Sequence, residues 1–404
     1  MLKCKDGSLY TGWTSGKVVF DGVNIVITGQ YINQCKTVLK NNSLMKRSND
    51  SKNFIMGDMA IEPGSKYEGQ IDAIYAGSVT VDGGKTDGSY NTEADFKTIF
   101  FESYYPLIVK NGAYVVMNAA NENGTWTLKG GVSKIQASKV EVFNTITIEA
   151  SATLVLDAKS IVTAKAVNGK GKITIDATDM VAGDVVNFTA NFANFGGTLT
   201  VVNNDKLDAQ IVDGKIVLAA KPVAKIDEQG YATLNEAFAA ATEGQTITML
   251  DDATPALASQ RAITKAAVID LGGKTMTLTE DDLYFGTTTF KNGTIVVDPS
   301  VKPSTAVFWM FANQTLTFDK VKVVATGVTG TYLIGLDGNN SDLNLLNGSE
   351  ILVENSTALD LDIICVNATT GNDIKVDNSK VNVTNLNGRV FFRGNYIVKD
   401  SEVN

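Results

Sequence analysis

Along the last third of the chain one pattern keeps returning: an apolar residue, a polar turn, then an alternating run of β-branched residues. It reads Phe290-Lys-Asn-Gly-Thr-Ile-Val-Val297, Phe318-Asp-Lys-Val-Lys-Val323, Leu346-Asn-Gly-Ser-Glu-Ile-Leu-Val353, Val376-Asp-Asn-Ser-Lys-Val-Asn-Val383 and Val398-Lys-Asp-Ser-Glu-Val403. The turn positions Asn292, Lys320, Asn347, Asn378 and Asp400 are spaced by 28, 27, 31 and 22 residues. A drifting period of that size, holding strands and turns but no helix, predicts a stacked β-solenoid. Asn292 with Gly293, Asn347 with Gly348, and Asn378 are expected to be structural. Asparagine tolerates left-handed backbone, and a column of asparagines can also bond to one another.

Upstream, residues 99–222 alternate on the two-residue period of half-buried strands, as in Tyr114-Val-Val-Met, Thr125-Trp-Thr-Leu, Thr153-Leu-Val-Leu and Lys172-Ile-Thr-Ile. Turns such as Asn168-Gly and Asp213-Gly separate them, which predicts a β-rich domain, either solenoid or sandwich. Residues 1–98 read as a further β-rich attachment region. Within it, Lys17 to Thr28 predicts two strands around the Asp21-Gly22 turn, and the polar stretch Lys40 to Asn53 predicts a loop.

One helix stands out, at 233–243. Thr233 and Glu236 have the spacing of a capping box, and Leu234, Ala237, Phe238 and Ala241 form one apolar stripe before a stop at Gly244. It follows the boundary Ala219-Ala-Lys-Pro-Val-Ala224 and is placed to cap the solenoid of residues 223–404, whose first strands would otherwise expose their edges.

The stretch Ala224 to Leu250, with Ala262-Ile-Thr-Lys-Ala-Ala-Val-Ile-Asp-Leu-Gly-Gly-Lys-Thr-Met-Thr-Leu278, resembles the opening of right-handed parallel β-helix modules in surface proteins of (gut) bacteria. The likeness covers about 224–404. It implies an all-β, right-handed parallel β-helix and a presumed adhesive role, with a more distant architectural likeness to phage tailspikes and pectate-lyase-like proteins. Cys4 to Thr14 is similar to the second strand of GIY-YIG nucleases. That family's first strand, its helix with arginine and histidine, and its metal-binding glutamate have no counterpart, so nuclease activity is excluded.

Composition narrows the chemistry. The 404 residues include no histidine, which removes the usual general base and the usual zinc ligand. No cofactor or metal is expected. Net charge is −9 without a basic block, so nucleic acid is not an expected partner. No apolar run is long enough for a membrane span. The first residues lack the apolar core of a secretory signal, which fits either a processed chain or one that begins at its natural methionine without general export. Of the three cysteines, Cys4 and Cys35 could pair; the plainer expectation is three buried or incidental thiols.

Candidate chemistry is therefore carboxylate- or arginine-based. Asp360 and Asp362 are the catalytic candidates, since alternate residues share one strand face. Asp251-Asp252 and Glu280-Asp281-Asp282 are further acidic clusters, more simply read as turns, and Asp270 is read as setting a turn. Trp309 and Phe311 in one aromatic cluster, and Arg389 and Arg393 flanking Val390-Phe-Phe392, are the ligand-binding candidates. Arg47 and Arg261 complete the arginines.

These features predict a non-catalytic structural or binding protein on the outside of a particle or cell, a phage virion appendage or capsid-attached protein being favoured over a bacterial surface adhesin. Its expected partners are copies of itself, other surface or virion subunits, and glycans. A polysaccharide lyase or hydrolase on the same scaffold, and a self-assembling layer or filament subunit, are the alternatives.

Overall fold

The computed structural model describes the chain apart from residues 1, 5–8, 12–15, 28–30, 34, 48–53, 56, 70–72, 75–76, 99, 118–123, 258–267 and 368–369. The chain divides into two compact units, Met1–Lys221 and Pro222–Asn404. Among the described residues both are all-β apart from one helix, and their large sheets are parallel except at the start of the second unit.

In the first unit, consecutive strands do not pair with each other until the closing hairpin described below. Lys17–Asp21 pairs in parallel with Lys36–Lys40, which pairs with Met59–Ile61, while Asn24–Ile27 pairs with Leu2–Cys4 and Leu44–Arg47 in a different sheet. The Asp21-Gly22 turn is thus a corner between sheets, not a hairpin. The stretch expected as a loop at Lys40–Asn53 contains the strand Leu44–Arg47, because Met45 falls on a buried column of side chains.

That column shows why the sheets are parallel. Ile25, Met45, Tyr67, Phe96, Val115, Val140, Val162 and Phe188 stand in register across eight strands, and all are buried. A strand turns alternate residues to one face, so each repeat adds one apolar layer to the interior. Burying each such side chain contributes about 1.5–3 kcal/mol. Phe96–Thr98 pairs in parallel with Tyr114–Met117.

The second unit follows the same plan. Ile269, Phe290, Phe318, Leu345, Val376 and Val398 form one column, and Met276, Ile295, Val323, Ile351, Val381 and Val403 another. The Phe290 and Phe318 rings stack with centroids 5.7 Å apart. The recurring segments are therefore parallel neighbours, with like positions touching.

The turns carry a shared device. Asn292, Lys320, Asn347, Asn378 and Asp400 all have left-handed backbone, with φ of 58°, 58°, 57°, 47° and 48°. Gly348 is left-handed too (φ 90°), and a Cβ on Gly293 would lie 2.4 Å from the Leu271 Cβ. The asparagine amides at 292 and 347 donate not to other asparagines but to Asp270 (3.1 Å) and Asp319 (2.8 Å) of the preceding repeat. In the first unit Asn41, Asn111 and Asn203 donate likewise to Asp21, Asp82 and Asp176. Two residues after Asn347 and Asn41 a buried serine closes the corner: the Ser349 hydroxyl donates towards the Phe318 and Leu346 carbonyls and accepts from the Val321 N–H. Ser43 makes the matching contacts with Phe20, Lys40 and Val23.

The first unit finishes in an antiparallel hairpin, Leu207–Val212 with Lys215–Ala220, turning on Asp213 and Gly214 at positive φ. Its Leu207, Ile216 and Leu218 seal that end of the core. The second unit begins with the antiparallel strands Ala224–Ile226 and Gln229–Tyr231 and the helix Leu234–Ala240. Thr233 and Glu236 form the expected capping box, and Leu234, Ala237, Phe238 and Ala241 are buried. The helix stops before Gly244. Ala241 is already extended, and the Gln245 side chain accepts from both the Thr242 N–H and its hydroxyl, shaping the turn that follows.

Candidate functional site

A four-stranded parallel sheet of the second unit gathers most of the singled-out residues. Its strands are Ala306–Met310, Tyr332–Leu336, Asp362–Val366 and Phe391–Phe392. Phe308, Ile334, Ile364 and Phe391 stand in register on the core face. The neighbouring column, Trp309, Gly335, Cys365 and Phe392, takes the opposite face by strand alternation.

At one end of that column three rings form a ledge. Tyr284 lies 5.1 Å from Trp309 and 4.4 Å from Phe311, and Trp309 lies 5.6 Å from Phe311, centroid to centroid and all tilted. Tyr284 is buried beneath its neighbours, Trp309 is half-buried and Phe311 is 43% exposed, so the ledge presents an apolar ring surface to solvent. Burial, and then the charges of Asp282 and Asp337, push the Tyr284 phenol above its ordinary pKa. Asp337 is exposed, one residue beyond the strand Tyr332–Leu336.

Beyond the ledge the surface drops. Gly335 follows Trp309 in register, and a Cβ there would meet the Ala306 Cβ at 3.0 Å and Tyr332 Cδ2 at 3.8 Å. Cys365 comes next. Its thiol donates to Asn367 Oδ1 (3.3 Å), and burial pushes its pKa up. A hydrogen bond with Cys365, then burial, raises the Tyr332 phenol.

The far end is cationic. Asp362 accepts from the Arg389 backbone N–H (2.7 Å), Nη2 (2.7 Å) and Nε (3.2 Å). The Arg389 guanidinium lies 3.4 Å from the Phe392 ring centre and that of Arg393 lies 4.9 Å from it. Arg389 is thus neutralised by Asp362, whereas no carboxylate pairs with Arg393 among the described residues.

Five singled-out residues, Trp309, Phe311, Asp362, Arg389 and Arg393, therefore belong to one sheet and its margins. Asp360 does not join Asp362 on a strand: it is exposed in the turn before it, where its carbonyl accepts from the Gly330 N–H. Asp252 accepts from the Thr275 N–H, Asp281 from the Ser304 N–H, and Asp282 from the Ala306 N–H and the Ser304 hydroxyl. Asp270 accepts from the Gly272 N–H and the Asn292 amide, in line with a turn-setting role. Arg261 lies outside the described residues, Arg47 ends a strand of the first unit, and Cys35 is buried.

Sequence reasoning missed Tyr284, Tyr332, Gly335 and Cys365. The signal was present: stepping back one repeat from Trp309 lands on Tyr284, because Leu283 bridges Phe308. Among the described residues there is no cluster of three or more metal-ligating side chains, and no helix long and apolar enough to cross a membrane. No protein-family model, curated protein or solved structure matches this chain.

Proposed function

We infer that the chain is a non-catalytic binding scaffold of two parallel β-helix units, shown on the outside of a virion or bacterial cell, whose second unit binds saccharides. In-register apolar columns and corner-to-corner hydrogen bonds support the solenoid reading, as does the resemblance of residues 224–404 to bacterial surface modules. The observation that carries the binding reading is the Tyr284–Trp309–Phe311 ledge. Pyranose rings present an apolar C–H face, and a partly exposed aromatic surface beside polar groups suits them.

The arrangement favours binding over cleavage. Glycoside hydrolysis uses two carboxyl groups facing each other across the scissile bond. Asp362 is occupied by three donors from Arg389, and Asp360 sits apart from its strand. A glycan array probed with the full chain tests the reading. Retention of a defined set of glycans, lost on Phe311→Ala, is expected; retention of none would overturn it.

One further feature supports self-association as a second reading. Strands Asn395–Lys399 and Glu402–Val403 have a sheet partner on one side only among the described residues. Their Val398 and Val403 continue buried columns yet are 48% and 41% exposed. Such edges accept further strands. Light scattering that reports a monomer at all concentrations would dismiss it.

A further inference from the structure

The binding face is polarised, and the polarity specifies a ligand. Its two ends differ in charge and in what is already satisfied. The aromatic ledge has the exposed Asp337 carboxylate beside it, an acceptor suited to sugar hydroxyls. Three strand steps away, about 14 Å at the usual spacing of neighbouring strands, stand Phe392 and its two arginines.

Only one of these cations is available. Asp362 engages Arg389 through its backbone N–H and the Nε/Nη2 edge of its guanidinium, which fixes its plane against Phe392. Arg393 is exposed, sits over the same ring and has no carboxylate partner among the described residues. Between the two ends Gly335 contributes no side chain, and it and Cys365 are buried, so a ligand that reaches both ends spans this stretch without contacting either residue.

We propose that the ligand is an acidic oligosaccharide, with a neutral ring face on the Tyr284–Trp309–Phe311 ledge and a sugar carboxylate paired with Arg393. The proposal rests on the saccharide-binding reading and adds to it a charge requirement and a direction. Asp362 acts as a positioning residue: it holds Arg389 flat so that Phe392 and Arg393 are presented together. A guanidinium pairs with a planar carboxylate through two parallel hydrogen bonds, which a neutral ester cannot replace.

The test uses matched probes. Polygalacturonate, alginate and hyaluronan oligomers are each titrated beside their methyl esters, against the full chain, Arg393→Asn and Phe311→Ala. Asparagine is chosen because residue 393 has left-handed backbone (φ 61°) that asparagine tolerates. At least one acid is expected to bind about fivefold or more tighter than its ester, with the preference weakening as salt is added. Arg393→Asn should erase the preference, bringing acid and ester to equal affinity, and Phe311→Ala should weaken acid and ester alike. Equal binding of acids and esters would overturn the charge requirement and leave the saccharide reading standing. A preference that survives Arg393→Asn would overturn the assignment to this arginine. Binding of no saccharide, here or on the array, would overturn both.

Discussion

Ser43 in the first unit and Ser349 in the second do the same thing: each follows a left-handed asparagine corner and ties its hydroxyl to the repeat before it. The inner columns match as well, apolar layer upon apolar layer. The outer faces match only in part. Outward charges pair across strands in both units: Glu68 lies between Lys46 and Lys97 in the first, and Glu350 takes Lys322 in the second. At the four-stranded sheet of the second unit, the half-buried Trp309, the exposed Phe311 and an arginine with no carboxylate partner among the described residues face outward. Two stretches of chain share one scaffold, so the scaffold says little about binding. The departure from it on one sheet is what points to a ligand.

The comparison breaks most visibly if the two cores are not independent and alike. Phe318→Ala and Trp126→Ala each delete a fully buried ring, and each should cost about 3–5 kcal/mol. In chemical denaturation each should lower the transition of its own unit and spare the other; a shared shift would contradict the division into two cores. Ser349→Ala and Ser43→Ala come next. Each strands a backbone N–H, at Val321 or Val23, and should cost about 1–3 kcal/mol, somewhat less at the half-exposed Val23 corner. A large loss in one and none in the other would end the claim of a common corner.

Smaller again is Asn292→Ala, expected to cost about 1–2 kcal/mol through its left-handed backbone and the lost bond to Asp270, whereas Asn292→Gly should lose only the bond. The pH dependence should be shared by both units. Burial, then the hydrogen bond to Glu141 and its charge, push Tyr114 up to about 12; burial, then the charge of Cys365, do the same to Tyr396. The folded state keeps these protons longer than the unfolded state. Stability from this source is intact below pH 10 and falls as the pH climbs towards 12. Tyr114→Phe should flatten the alkaline loss of the first unit alone. At the acid end, burial would raise Asp82 and Asp270, but hydrogen bonds from Asn111 and Gly84, and from Gly272 and Asn292, together with the Lys110 and Lys291 contacts, outweigh it and hold both below the usual carboxylate value of 3.8. Their contribution is present above that value and is lost as the pH falls through their lowered range.

The turns of the second unit were legible in the sequence because an αL corner demands particular residues: Asn292, Asn347 and Asn378 announce themselves, as do Thr233 and Glu236 at the helix start. Parallel pairing was harder to see in the first unit. Lys17–Asp21 and Asn24–Ile27 flank an Asp-Gly dipeptide that serves a hairpin equally well, and only partners far along the chain decide which forms. The candidate face was half legible. Trp309, Phe311, Arg389 and Arg393 stood out as rare residue types, but their meeting depends on register across four strands. Asp360 and Asp362 failed as a pair for a local reason: the strand begins only at Asp362, so the alternation they were assigned does not exist.

The most direct test of the claim that the aromatic ledge is the binding surface is a tryptophan fluorescence titration with an array-selected glycan, using the full chain and Trp309→Phe. Trp126 is fully buried in the first core and should not respond. A saturable change in emission that vanishes in Trp309→Phe is the predicted result. An equal change in both proteins, or none in either while the glycan still binds, would contradict the account.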